Sequence, residues 1–366
     1  MWSVRNASRF GSAMSFTTIF AALAGVFSIP TLLPPRPPGR ISVMSFNVEN
    51  LFDARDDPAT NDETYLPALQ KGSAKHQMRC RQIHIKKWRE DCLNLNWTES
   101  LLKEKLRRIS QVILAAGSGP DLVLLQEIEN LSILQRLSSD FLSKTSYHAV
   151  LLEGTDERGI DVGLLSRWPL AAPPKLHKIP FGSAFSRLEA ATRGILEVRL
   201  KSPFGSVRVF VLHLPSAFHP ARMREAALDE LDRLTSAPAR ELVLVGGDFN
   251  VSAREERRRA RIQRAHSTRW CVSHLVGCKD CQGTVYHRGW SFFDQIWMLR
   301  QSESMGWRLV PESVRVIREL DFQHSSQGPG PLRFRTGSWG RIEGVSDHWP
   351  VYAEIEAPRP TNGVLR

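Results

Sequence analysis

The sequence predicts an α/β domain with mixed strand pairing, on three observations. From Ile41 onward, short apolar runs rich in Val, Ile, Leu and Phe alternate with helix-like stretches, the signature of interleaved strands and helices. Runs such as DLVLLQE and ELVLVGG are apolar at consecutive positions, which requires strands covered on both faces. The segments YHAV, GILEVRL and VRVFVLHL alternate more strictly, so antiparallel pairing is expected beside the parallel.

Taken in order, strands are expected at 41–47, 122–126, 162–166, 195–200, 207–214, 242–246, 292–299 and 350–355. Helices are expected at 99–116, 222–234 and 254–265, where apolar residues recur at three- and four-residue spacing. Between the first strand and the first helix, 53–97 starts acidic and turns basic with KHQMRCRQIHIKKWR. It reads as an irregular surface insertion. No repeat and no Pro/Gly/Ser linker divides the chain after residue 40, so 41–366 reads as one domain.

Residues 1–40 are a separate matter. They hold four arginines and no acid, an apolar run TTIFAALAGVF, small residues at Ala22, Ala24 and Ser28, and then PTLLPPRPPGR. This is the pattern of an export signal or an uncleaved membrane anchor followed by a Pro-rich linker. It implies an exported protein: secreted, periplasmic or held at a membrane by that segment.

Composition excludes several classes. With 42% hydrophobic and 24% charged residues among 366, the chain can bury a sizeable core and is not mainly disordered. A single long apolar stretch excludes a multi-span protein. Five cysteines are too few for a dense disulfide scaffold, and their odd number leaves at least one thiol without an intrachain partner. The formal charge of +11 makes an anionic partner such as nucleic acid natural.

The candidate chemistry lies where apolar strands end. Asn47 ends ISVMSFN, Gln126 and Glu127 end DLVLLQE, His213 lies near the end of VRVFVLHL, and Asp248 and Asn250 follow ELVLVGG. Asp347 and His348 are expected to open the last strand, and Asp294 sits inside SFFDQIWM. A carboxylate in an apolar strand needs a cation or donors, and His348 is the natural partner. The set is poor in nucleophiles and rich in oxygen ligands. Carboxylates at Glu127, Asp248 and Asp347, with amide oxygens at Asn47 and Asn250, suit Mg²⁺ or Mn²⁺ better than zinc. Such an ion clamps a phosphoryl oxygen, Asp248 is the residue type to activate water, and His213 and His348 can donate to phosphate oxygens.

In order, MSFNVENLFD, DLVLLQEIEN, DVGLLSR, FVLHLPS, VGGDFN, SFFDQIW and SDHWPV resemble the motifs of the endonuclease/exonuclease/phosphatase superfamily. Its members include pancreatic-type deoxyribonucleases, apurinic-site endonucleases, neutral sphingomyelinases and inositol-polyphosphate 5-phosphatases. The resemblance spans 41–356, and NVENLFD with QEIEN resembles an exported bacterial subgroup. It implies a four-layer α/β sandwich, two mixed sheets face to face with helices on both outer faces. It also implies that Glu127 is the principal metal ligand, oriented with Asn47, and that Asp347 is a metal-side carboxylate. Asp248 would position or deprotonate water, Asn250 would hold the phosphate and that water, and His213 would contact the scissile phosphate. His348 paired with Asp294 would stabilise the transition state. Asp161, in GIDVGLLSR, falls where the family often has a polar residue near its site.

The expected function is therefore a metal-dependent phosphodiesterase acting on DNA or RNA by direct attack of water. A phospholipid or small phosphate-ester hydrolase is the nearest alternative, and a non-catalytic binder of nucleic acid or anionic lipid the more distant one. Residues 254–269 hold seven arginines, either a grip on nucleic-acid phosphates or a solvated helix neutralised by Glu255 and Glu256. The pair Cys278 and Cys281 superficially suggests zinc, but a local disulfide suits an exported chain better, with Cys80 and Cys92 as a second and Cys271 left over.

Overall fold

The computed structural model describes residues 37–359 apart from 186–187, 189–191, 239, 327 and 337–339; the expected leader therefore lies almost wholly outside the described residues. Twelve strands build two six-stranded sheets. They are β1 (Arg40–Leu51), β2 (Leu122–Ile128), β3 (His148–Leu151), β4 (Asp161–Ser166), β5 (Lys175–His177), β6 (Ile195–Ser202), β7 (Gly205–His213), β8 (Leu242–Asp248), β9 (Trp270–Val272), β10 (Asp294–Leu299), β11 (Arg308–Val316) and β12 (Val351–Glu356). One sheet runs β11-β12-β1-β2-β4-β3 and the other β5-β6-β7-β8-β10-β9.

Each sheet has one parallel pair at its centre, β1 with β2 and β7 with β8, and antiparallel neighbours outside it. The consecutive apolar runs now have a cause. Val43, Leu122, Leu124, Val209, Leu242, Leu244 and Ile296 point into the layer between the sheets. Their chain neighbours Met44, Val123 and Leu125 point the other way, onto an outer helix. Phe210, Val243, Val245 and Trp297 do the same on the second sheet. With period-two alternation, a strand buried on both faces must be apolar at every position.

The principal outer helices are α1 (Ala74–Arg81), α2 (Lys86–Asn94), α3 (Glu99–Ala115), α4 (Ala221–Leu234), α5 (Ala253–Arg259) and α6 (Arg261–Thr268). Helix α3 starts where Thr98 accepts from the Leu101 N–H, and its Leu102, Leu106, Ile109 and Ile113 cover the first sheet. Met223, Ala227, Leu228 and Leu231 of α4, with Ile262 of α6, cover the second. The architecture is thus a four-layer α/β sandwich.

Several expectations need correction. The helix expected at 254–265 is two helices, because Ala260 adopts the left-handed conformation at φ 49°. Asp294 begins its strand rather than sitting inside it, and Asp347 and His348 lie in the turn before β12 rather than opening it. The insertion 53–97 is not irregular throughout: it folds α1 and α2 around the Cys80–Cys92 disulfide, and both cysteines are buried. Cys278 and Cys281 are bonded to each other and Cys271 is a buried free thiol. Among the described residues, no helix is long and apolar enough to cross a membrane.

Candidate active site

The site forms at the carboxyl ends of the two central parallel pairs. In the first, Asn47 stands opposite Gln126, and the β1–β2 register then breaks before Leu51. Glu49 and Asn50 cause the break, with φ of 55° and 53°. Glu127 is also left-handed, at φ 65°, and β2 shifts register against β4 there. Non-glycine residues seldom hold this conformation, and such bulges re-aim side chains at strand ends. Here they turn Glu127 inward, where its Oε2 accepts from the Asn50 N–H at 2.9 Å and its Oε1 from the Asn47 amide at 3.2 Å.

In the second pair, His213 and Asp248 are register partners, with His213 Nε2 3.4 Å from Asp248 Oδ2. The Asn47 amide reaches across to the same Oδ2 at 3.1 Å. A single carboxamide therefore ties the carboxylates of the two sheets together. Its own oxygen accepts from the Glu49 N–H at 3.0 Å, so in this arrangement Asn47 orients the acids. Asn250, left-handed at φ 51°, gives its N–H to Asp248 Oδ1 at 2.8 Å and its side-chain amide to the Leu214 carbonyl at 2.9 Å. This fixes the GDFN loop on β7.

The third component is a buried dyad. Asp294 stands opposite Asp248 on β10 and is fully buried. Its Oδ2 lies 2.8 Å from His348 Nδ1, and its Oδ1 accepts from the Asn47 N–H at 3.3 Å. Ser346 Oγ donates to the Asn47 carbonyl and accepts from the His348 N–H, pinning the SDH turn to β1. The other ring nitrogen, His348 Nε2, faces Asp248 Oδ2 at 3.9 Å and Asp347 Oδ1 at 4.0 Å. All eight expected site residues are thus brought together.

Electrostatics separates like residues into different states. Burial would raise Glu127, but His213, Arg158, Arg193 and His348 outweigh it and hold the carboxyl at about 2. Burial, together with Asp294, pushes Asp248 up to about 7 against the pull of His348 and the Asn250 and Asn47 donors. Burial and the Arg193 guanidinium hold His213 well below the usual imidazole range. With that ring neutral, Arg158, Arg193 and His348 are the standing positive charges that hold Glu127 down. Burial acts the same way on His348, but the Asp294 carboxylate overcomes it and raises the imidazole well above its ordinary range.

The donors are of the type that suits a hard divalent cation, carboxylates at Glu127, Asp248 and Asp347 with no sulfur among them, although their oxygens do not close to within 4.8 Å of one another as they stand. Asp347 turns Oδ2 to the Arg333 guanidinium at 3.3 Å and Oδ1 toward the site. The sulfur-containing alternative is closed. His76, Cys80 and Cys92 lie within ligand distance of one another, but the two sulfurs are bonded together.

Sequence reasoning missed the charged supports. Arg333 bridges Asp347 and Glu49, and buried Lys105 of α3 donates to the Glu49 carbonyl. Buried Arg193 pairs with Asp156 at 3.0 Å. The signal for Glu49 was the acid inside NVENLFD. Arg193 and Arg333 carried none, being arginines in unremarkable polar stretches. Asp161 opens β4 opposite Ile128 and accepts from the Gly154 N–H, and burial raises it to about 7.

A family model described as the endonuclease/exonuclease/phosphatase family matches residues 91–357. The chain belongs to this family. Endonuclease/exonuclease/phosphatase proteins are typically hydrolases of phosphate esters and commonly use divalent metal ions. No curated protein matches the sequence. Among solved structures, D. rerio TDP2 humanised by 14 mutations is similar at a TM-score of 0.52 and 16% identity, over 87% of this chain and 99% of that one. D. rerio TDP2 complexed with a single-strand DNA product gives 0.52 and 16%, over 86% and 98%. A family protein from Beutenbergia cavernae gives 0.51 and 16%, over 87% and 72%. These likenesses establish the fold, and the endonuclease/exonuclease/phosphatase sandwich is the one described above.

Proposed function

We propose that the protein is a Mg²⁺- or Mn²⁺-dependent phosphodiesterase that hydrolyses nucleic acid by direct attack of activated water. The observation that carries this reading is the geometry around Asp248 Oδ2: His213 Nε2 at 3.4 Å, the Asn47 amide at 3.1 Å and His348 Nε2 at 3.9 Å surround it, and the His348 ring is backed by Asp294 at 2.8 Å. Asp248, the carboxylate on which these groups converge, would orient the attacking water and accept its proton. The His348 imidazolium, held by Asp294, donates to a phosphoryl oxygen as negative charge builds there. Glu127, Asp347 and Asp248 would hold the cation, whose chemistry is to polarise the phosphoryl group and neutralise its developing charge. Asn47 keeps the acids in register, and His213 Nε2 is placed to donate to the phosphate.

Nucleic acid is favoured as substrate by the basic chain and by the single-strand DNA product held by one structure of the same fold. Export through residues 1–40 is part of the same proposal. Two disulfides support it, because such bonds persist in oxidising compartments.

The test is hydrolysis of bis(p-nitrophenyl) phosphate, plasmid DNA, RNA and sphingomyelin by purified protein, with Mg²⁺ and with chelator. Metal-dependent cleavage of the diester and of nucleic acid is expected, and Asp248→Asn should lower kcat by about 10²-fold or more with unchanged circular dichroism. Activity in chelator, or near-wild-type turnover by the variant, overturns the reading.

A further inference from the structure

We propose that a groove beside the active site, walled by the arginines of α5 and crowned by an exposed aromatic pair, binds single-stranded polynucleotide. The proposal rests on the phosphodiesterase reading and adds the form of the substrate.

The first observation is where the arginine run sits. A groove of about 720 Å³ runs between the loop after β7 and the start of α5, lined by Ala217, Ala221, Ser252, Arg254 and Arg258 among others. Ala217 follows His213 by four residues and Ser252 follows Asp248 by four. Each wall therefore begins within about 14 Å of a site residue, the reach of four extended residues.

The second observation is that the groove keeps unpaired positive charge: of the four arginines that line it, Arg224 and Arg259 are matched by acids, while Arg254 and Arg258 are not. The acids expected to pair with the run are engaged elsewhere. Glu255 is held by the buried Arg224, and Glu256 accepts from the Ile262 and Gln263 N–H groups at the start of α6. Glu225 and Asp229 take Arg259 and Arg261. Arg254, Arg257 and Arg258 are exposed and have no carboxylate partner among the described residues. Two free guanidiniums in the groove, with Arg257 beside them on the same short helix, suit a chain of phosphates.

The third observation distinguishes single strands from duplex. Phe218, on the chain between groove residues Ala217 and Ala221, is 80% exposed. Its ring meets the 46% exposed Trp88 of α2 edge-on, with centroids 5.7 Å apart. Large apolar rings left in water beside a cationic groove form a stacking platform, which unstacked bases can use and paired bases cannot. The disulfide-closed insertion thus has a role, since α2 supplies Trp88 from between Cys80 and Cys92.

The experiment measures fluorescence anisotropy of labelled oligothymidylate, and of a hairpin duplex of equal charge, with the full chain in EDTA to prevent turnover. Wild type should bind the single strand more tightly. Phe218→Ala should weaken single-strand binding about five-fold or more and duplex binding little. The triple variant Arg254→Ala/Arg257→Ala/Arg258→Ala should lose affinity and flatten the log–log salt slope by about two. Equal binding of the two nucleic acids, an unchanged salt slope, or tighter binding to phosphatidylserine vesicles than to oligonucleotide overturns the proposal. Hydrolysis of bis(p-nitrophenyl) phosphate reports separately on the phosphodiesterase reading. Its absence with single-strand binding intact removes that reading and leaves the groove assignment standing.

Discussion

His348 and Asp294 meet at 2.8 Å although 54 residues of chain separate them, and both are buried. The carboxylate fixes the ring's orientation and its charge together. Asp294→Asn keeps the shape and removes the charge, so kcat on a diester should fall about 10²-fold with KM little altered. Because the two act as one unit, Asp294→Asn/His348→Ala should be no slower than His348→Ala alone. Steady-state kinetics of the three variants decides it, and additive losses would separate the roles.

Glu127 occupies a left-handed conformation, and its carboxylate is ionised despite burial. Glu127→Gln preserves the backbone and the Asn50 contact while deleting the charge. Isothermal titration should show at least about ten-fold weaker Mn²⁺ binding at an unchanged melting temperature. Glu127→Gly should raise the melting temperature slightly by relieving the φ penalty, and should bind no metal at this site.

His274 gives the fold an acid-sensitive point away from the catalytic cluster. Its ring stacks on Phe292 at 4.4 Å and its Nδ1 is buried without a partner. Burial, with a small contribution from His266, lowers it to about 3. The unfolded imidazole takes up a proton below about pH 6.5 and the folded one does not, so stability is lost as pH falls from 6.5 toward 3. The residue is half-buried, which makes about 2 kcal/mol at pH 5 an upper figure. Urea midpoints at pH 7 and pH 5 should differ less for His274→Gln than for wild type; equal differences exclude this residue as the cause.

The Cys80–Cys92 bridge closes a short loop, with a sequence separation of 12. Replacing both cysteines by serine should cost about 2–3 kcal/mol. The loss should appear first as faster proteolysis within 63–97, because α1 and α2 pack chiefly on each other and on that segment. Buried Cys271 should stay inert to thiol reagents until the chain unfolds, since burial raises its thiol.

Much of this was legible in the chain. The double-sided strands announced themselves as unbroken apolar runs, and Asn47, Glu127, His213 and Asp248 stood at their ends. The order of strands was not legible, because Val and Leu carry no label for which neighbour they pair with. Strand β11 was hidden by Pro311 and by the register shift between Val310 and Arg315. The break at Ala260 was invisible because alanine favours helix and marks no stop. The Glu49–Arg333–Asp347 bridge joins residues about 300 positions apart, so no local spacing could reveal it. The dyad was found because an acid beside aromatic residues demands a counter-charge, whatever its distance along the chain.

The first and last strands lie side by side, Arg40 against Glu356 through Ser45 against Val351. A growing polypeptide cannot pair β12 with β1 until about 300 further residues have left the ribosome, and His348 arrives only eight residues before Glu356. The acids of the first half must wait, unpaired with the imidazole, until His348 has been synthesised. The Asp294–His348 pair therefore forms only once the strands on either side of it have both been made.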